Sequence, residues 1–465
     1  MSDYDVIVIG AGPGGYVSAI RASQLGLKVA IIDKQWMGGV CLNVGCIPSK
    51  SLLKNAELAH TLRDRADEFG ISFTDLKLDY GKAVARSRQV SDRLTKGVGF
   101  LMKKNKVDVY MGTAKLLAKD RVQVTDAEGK VQEFTTKNII IATGSYSISL
   151  PGITVDGKHV LSYKEAILQT TLPESAIIIG GGAIGVEFST VWSSFGAKVT
   201  LVEMLPNILP LEDEEVSKEL AKQYKRRGIT VMTGTKVQSV QATDKGVVVK
   251  VSTEAGEQTL EAEQALMAIG FKPNTANLGL DTVGVKLTER GFVDVDDRMA
   301  TNVPGIWAIG DVTGKLLLAH VASNQGIICA ENIAGVDTIT LDYRMMPRTT
   351  FSNPQVASFG LTEAQAKAAG YEIKVGRFNF MANGKALGLG EGVGFAKIIT
   401  DVKYGEILGA HMIGPEVSEL LPELTLAQRM ELTAEEISRN VHSHPTLSEV
   451  ILEAAHDAEG HLIHA

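Results

Sequence analysis

Two copies of one short unit constrain this chain more than any other feature of it. The first copy runs Val6-Ile7-Val8-Ile9-Gly10-Ala11-Gly12-Pro13-Gly14-Gly15, passes through an Ala/Ser-rich helical stretch and ends in Lys28-Val29-Ala30-Ile31-Ile32-Asp33. The second runs Ile177-Ile178-Ile179-Gly180-Gly181-Gly182-Ala183-Ile184-Gly185, then a helical stretch, then Lys198-Val199-Thr200-Leu201-Val202-Glu203. In each, the acid stands 23 positions after the first glycine (33 − 10 and 203 − 180). Such a unit consists of a buried strand, a tight glycine turn and a helix N-terminus whose free N–H groups and dipole face a pyrophosphate. The carboxylate ending the second strand receives ribose hydroxyls. A lone glycine loop is a weak signal. Two of them, each between a strand and a helix and each with its acid, imply two dinucleotide sites. Glycines acting only as turns leave the paired acids unexplained.

Around these units, apolar runs of a few residues recur at Val6–Ile9, Val29–Ile32, Ile139–Ala142, Ile177–Ile179 and Val199–Val202. Runs without polar alternation suit parallel strands covered on both faces. Helical patterns alternate with them, so the expected class is α/β, with two Rossmann-like dinucleotide-binding domains. The 465 residues leave room for about three units of about 150 residues each.

The balance of 47 Lys plus Arg against 54 Asp plus Glu gives a net charge of −7, and aromatics make up 6%. No nucleic-acid partner is therefore expected, because both the basic clusters and the stacking platforms are missing. No apolar run reaches the length of a membrane span. Met1 leads almost directly into the first strand without a leader pattern, so the expected location is the cytoplasm.

Two dinucleotide sites in one chain suggest one tightly held flavin (FAD) and one exchangeable nicotinamide. Glu203 favours NAD over NADP: it accepts a free 2′-hydroxyl and repels a 2′-phosphate, and no arginine follows it in Met204–Pro210.

Three cysteines are too few for a disulfide scaffold. Cys329, within Gly326-Ile327-Ile328-Cys329-Ala330, reads as a buried small hydrophobe. Cys41-Leu42-Asn43-Val44-Gly45-Cys46 reads as a redox pair because it follows the first dinucleotide unit directly. Residues five apart on an unbroken helix cannot join their sulfurs, so a bend near Gly45 or at a helix start is required. Pro48 suits a first helical turn, and a helix N-terminus beside Cys46 would favour its thiolate.

At these residues the chain resembles the pyridine nucleotide–disulfide oxidoreductases. Gly38-Gly39-Val40-Cys41-Leu42-Asn43-Val44-Gly45-Cys46-Ile47-Pro48-Ser49-Lys50 is similar to their active-site segment. Thr301-Asn302-Val303-Pro304-Gly305-Ile306-Trp307-Ala308-Ile309-Gly310-Asp311 is similar to their second flavin motif, and Val441-His442-Ser443-His444-Pro445-Thr446-Leu447-Ser448-Glu449 to their base segment. The resemblance spans the chain in the family's order. It implies an FAD-binding domain at 1–147, an NAD-binding domain at 148–270 and a central domain at 271–345 completing the FAD site. An α+β interface domain at 346–465 would dimerise.

The doubled histidine, the NAD-type acid and the absence of a C-terminal cysteine pair resemble one branch of the family. Its members oxidise dihydrolipoamide on the lipoyl domains of 2-oxo acid dehydrogenase complexes. The resemblance assigns disulfide interchange to Cys41, flavin contact to Cys46, base catalysis to His444 and orientation of that base to Glu449. It implies an ion pair of Lys50 with Glu187 beside the flavin. Cofactor contacts are implied at Gly10, Gly12, Gly14, Gly15, Asp33, Thr143, Gly144, Asp311 and Ala319, and at Gly180, Gly182, Gly185, Glu203 and Gly270. Asp33 stands where the family more often has Glu; the shorter acid still meets a ribose. His442 reads as structural support. No metal site is expected, because His442-x-His444 has neither cysteine nor a further histidine nearby. Alternatives are another disulfide reductase of the family, a transhydrogenase with idle cysteines, and an architectural subunit of a multienzyme complex.

Overall fold

The computed structural model describes residues 2–464; Met1 and Ala465, the outer ends of the first and last expected domains, lie outside the described residues. The first glycine unit forms the centre of a sheet. Strands Asp108–Met111, Val29–Asp33, Tyr4–Ile9 and Val131–Ile141 lie side by side in that order, all parallel. Ile7, Ile31 and Ile140 are fully buried, as strands covered on both faces require. Beyond the covered region, Val131–Ile141 continues into an antiparallel meander with Arg121–Thr125 and Thr113–Ala118. Ile306–Ala308 adds a parallel strand to Val131–Ile141, so the segment containing Asp311 belongs physically to the first sheet.

The second unit builds a parallel sheet of Thr230–Met232, Lys198–Val202, Ser175–Ile179, Gln264–Met267 and Val160–Leu161. A short ribbon, Ser145–Ser147 against Phe271–Pro273, brackets this half of the molecule at both ends. Helix Pro13–Gln24 packs on helix Ala319–Ala334 at very short range. A Cβ on Gly326 would stand 2.6 Å from the Gly14 carbonyl, so only glycine permits the contact. The first glycine loop is thereby held against the start of the later helix.

The C-terminal part is an antiparallel sheet in the order Arg348–Thr350, Gln355–Gly360, Ile407–Gly414, Phe395–Asp401, Ile373–Asn379. Every residue of Phe395–Asp401 and Ile407–Gly414 is buried, so both faces of these two strands are covered. One cover is helix Glu449–Ala458; another is helix Glu214–Arg226 of the second unit. Where that second helix meets the sheet, the buried Lys397 Nζ lies 2.8 Å from Glu363 and 3.1 Å from Asp213, the helix N-cap. A buried ammonium persists only with such partners.

Candidate active site

One continuous cavity of about 1320 Å³ runs between the two dinucleotide units and is lined by residues of both glycine loops. The loops are conformational copies. A Cβ on Gly10 would collide with the Ala142 carbonyl, and one on Gly180 with the Ala268 carbonyl, so the turn clears the neighbouring strand only as glycine. At Gly12 and Gly182, by contrast, nothing lies within 4 Å of a Cβ position. Both line the cavity, and both are N-caps with no side-chain hydrogen bond, for helices Pro13–Gln24 and Ala183–Phe195. Free helix N–H groups beside open space suit a pyrophosphate. The residues present therefore fit two dinucleotides. Gly15 and Gly185 do not line the cavity, and side chains there would strike the Gly10 and Gly180 carbonyls. They let the helix approach its strand closely.

The two acids bind their own loops. Asp33 accepts hydrogen bonds from the amides of Ala11 (2.7 Å), Gln35 and Trp36 (both 2.8 Å). Glu203 accepts them from Gly181 (2.6 Å) and Leu205 (2.8 Å). Each carboxylate thus ties the glycine loop to the turn after its own strand. Of roughly four lone-pair directions, Asp33 commits three and Glu203 two, leaving acceptor capacity toward the cavity.

Cys41 and Cys46 form a disulfide on the cavity wall. The required bend is at Gly45: helix Gly39–Val44 stops there (φ −130°, ψ −116°) and helix Cys46–Asp64 starts anew. That break brings the two Cα atoms to 4.6 Å. Cys46 is the first residue of a 19-residue helix, whose N-terminal dipole favours a thiolate. Cys329 is fully buried, and burial pushes its thiol well above the ordinary range.

One turn beyond Cys46, Lys50 Nζ lies 2.9 and 3.0 Å from the two carboxylate oxygens of Glu187. All three residues line the cavity, and the Glu187 side chain is only 10% exposed. Asp311 also faces the cavity; burial pushes its carboxyl above the ordinary aspartate range, opposed by the Ser145 hydroxyl at 2.8 Å. Thr143, Gly144 and Gly270 line the same space, as does Ala319 at the N-terminus of its helix.

His444 and Glu449 form a separate group. His444 Nδ1 is 2.8 Å from Glu449 Oε1, and the second carboxylate oxygen accepts from the Thr446 amide at 2.8 Å. Burial works to raise the Glu449 carboxyl, but the Thr446 amide and His444 hold it below the ordinary glutamate range. Neither residue lines the cavity of the disulfide, and the His444 side chain is 79% exposed. His442 is nearly buried and braced by Glu423 at 3.0 Å.

Two contributors have no signature of their own in the sequence. The buried Gln325 accepts from the Gly310 amide (2.6 Å) and donates to the Tyr343 hydroxyl (2.9 Å), fixing the turn that carries Asp311. Phe351 donates its amide to Glu187 (3.0 Å). Ser145, which donates to Asp311, directly follows Thr143 and Gly144, both implied cofactor contacts.

Comparison with known proteins agrees with this geometry along the whole chain. The family model described as pyridine nucleotide-disulphide oxidoreductase matches residues 4–326, and the one described as the dimerisation domain of that family matches 346–455. The chain is 54% identical to a dihydrolipoyl dehydrogenase of Mycobacterium leprae, with 100% of both chains covered. It is 52% identical to one of Corynebacterium glutamicum, with 99% of both covered. The solved structure of LpdA from Mycobacterium tuberculosis superposes with a TM-score of 0.91 at 29% identity, over 97% of this chain and 99% of that one. With its disulfide beside paired dinucleotide loops and its matched dimerisation domain, the chain belongs to the pyridine nucleotide-disulphide oxidoreductase family.

Proposed function

We propose that this protein is a dihydrolipoyl dehydrogenase, which uses FAD and NAD⁺ to oxidise protein-bound dihydrolipoamide to lipoamide. The observation that carries the reading is the Cys41–Cys46 disulfide at a helix start, on one cavity wall with both glycine loops and their acids. The identities to dihydrolipoyl dehydrogenases over full length support the choice of substrate.

Dihydrolipoamide thiols near their ordinary pKa are mostly protonated at neutral pH and need a base. In this reading His444 takes the proton, with Glu449 orienting its ring through Nδ1. The substrate thiolate attacks Cys41 Sγ; the Cys41–Cys46 bond breaks, a mixed disulfide forms, and Cys46 leaves as a thiolate stabilised by its helix N-terminus. The second substrate thiol, deprotonated in turn, attacks its own partner sulfur, releasing Cys41 and closing the lipoamide ring. The chemistry supplied by bound FAD is transfer of the dithiol's electron pair to NAD⁺ as a hydride. Gly10, Gly12, Gly14, Asp33, Thr143, Gly144, Asp311 and Ala319 would hold FAD. Gly180, Gly182, Glu203 and Gly270 would hold NAD⁺, and Lys50 with Glu187 would sit beside the flavin ring.

The same reading has the chain act as a cytoplasmic homodimer, with His444 serving the partner's disulfide, and takes lipoyl domains of 2-oxo acid dehydrogenase complexes as its partners. The domain division at 147, 270 and 345 accompanies it. Among the described residues no helix is long and apolar enough to cross a membrane. Steady-state kinetics with dihydrolipoamide and NAD⁺, beside glutathione disulfide and NADPH, test the proposal. Efficient turnover of the first pair alone is expected; preference for the second would overturn it.

A further inference from the structure

The Lys50–Glu187 pair is held by a third segment. Phe351 follows strand Arg348–Thr350, at the start of the C-terminal part, and touches both members. Its amide donates to Glu187 Oε1 at 3.0 Å, and its ring lies under Lys50 Nζ, 4.5 Å from nitrogen to centroid. We propose that Phe351 is a positioning residue, clamping the Glu187–Lys50 pair from the dimerisation domain so that the ammonium stays at the cavity wall one turn from Cys46.

Each link has a physical cause. A lysine side chain loses much rotamer freedom when fixed, and Lys50, 33% exposed, has water as a competing environment. Glu187 alone engages one side of the ammonium with both oxygens. The ring face, negative through its quadrupole, engages another. The carboxylate cannot swing away either, because one oxygen is held by an amide whose backbone is anchored in a sheet: Thr350 pairs with Val356. Cys46 and Lys50 come from the first part of the chain, Glu187 from the second unit and Phe351 from the C-terminal part. The position of Lys50 therefore depends on how the C-terminal sheet docks, and that dependence runs through one residue, by its amide and its ring.

The test uses the FAD-loaded dimer without substrate. Trace acetylation followed by peptide mass spectrometry gives the labelling of Lys50 relative to the exposed Lys96. Phe351→Leu removes the ring and keeps the amide. It should raise the ratio by about two- to thirty-fold, the span of a cation–π contact from wet to dry surroundings. Phe351→Tyr, which keeps the ring, should restore the wild-type ratio. A second readout is the visible absorption of the bound flavin, expected to shift in Phe351→Leu and return in Phe351→Tyr. A purely structural role would not follow ring chemistry in this way. An unchanged ratio in a Leu variant that retains FAD and dimer overturns the proposal, as does a raised ratio that Tyr fails to restore. Should Leu lose FAD, Phe351→Met, flexible and space-filling but without a ring face, is judged by the same criteria. Labelling involves no dihydrolipoamide, so its failure leaves the substrate reading untouched, and a wrong substrate leaves this clamp standing.

Discussion

His444 and Glu449 are joined at 2.8 Å, yet neither lines the cavity that holds Cys41 and Cys46. The imidazole is oriented through Nδ1, which on the proposed reading makes Nε2 its working end, on a side chain that is 79% exposed. A histidine–carboxylate pair outside the cavity of its own chain's disulfide fits the proposed base if that base serves another copy. The match of residues 346–455 to a dimerisation domain supplies that copy.

Mixed dimers test the shared site. Refolding Cys41→Ser chains together with His444→Ala chains yields, in each mixed dimer, one site with both defects and one with neither. Random pairing makes about half the dimers mixed, so about a quarter of wild-type activity should return, as two-fold symmetry dictates. Verified mixed dimers without activity would show that His444 serves its own chain.

Nucleotide preference should follow Glu203. Glu203→Ala is expected to narrow the preference for NAD⁺ over NADP⁺ by about 1–3 kcal/mol in equilibrium binding, the scale of one charged hydrogen bond and its repulsive counterpart. Glu203 also holds the Gly181 and Leu205 amides. Ala should therefore weaken both nucleotides through loop loosening, whereas Gln, which keeps one of the two acceptor oxygens, should loosen the loop less while still altering the preference. Equal wild-type affinity for both nucleotides would contradict the reading.

The two sulfurs should separate by spectroscopy. Cys46 starts a helix and is the better placed thiolate, so Cys41→Ser should display a long-wavelength charge-transfer band with bound FAD even before reduction. Cys46→Ser should lack it. The opposite pattern would exchange their roles.

The histidine segment should depend on pH through His442. Its bond to Glu423 raises its pKa, opposed by burial, and the Glu423 carboxyl is held low chiefly by the same bond. The histidine's contribution is full below about pH 6.5, the unfolded value, and is lost as pH rises through the raised folded value. The carboxylate's contribution is lost only as pH falls below the ordinary glutamate range. His442→Gln should therefore cost about 1 kcal/mol near pH 6 and much less near pH 9 in thermal or denaturant unfolding. An equal cost at both pH values would refute the ionic account.

The parallel sheets and the cysteine bend were legible in the sequence for definite reasons. Strands such as Ile177–Ile179 lack polar alternation because both faces are covered. A five-residue cysteine spacing cannot close on an unbroken helix, so a bend near Gly45 or at a helix start was required, and the break is at Gly45. Other features depend on partners distant in sequence. Ile306–Ala308 joins the first sheet by pairing with Val131–Ile141, and nothing in three residues between turns announces that. Phe351 meets Glu187 across 164 positions. Lys397 reads locally as a polar strand residue, and only the fold brings Asp213 and Glu363 to it. That Asp33 and Glu203 bind their own loop amides is likewise invisible until the loop geometry is fixed.

The most direct test of the central claim, that electrons pass from dihydrolipoamide through Cys41 and Cys46, is an anaerobic titration of the FAD-loaded protein with dihydrolipoamide. Flavin absorbance and free thiols are counted together. The wild type should take up one electron pair more than its flavin accounts for, appearing as two new thiols per chain, and NAD⁺ should recover the stored electrons as NADH. Cys41→Ser should take up none from dihydrolipoamide. Uptake matching the flavin alone, equal in wild type and variant, would mean that the disulfide is idle and contradict the account.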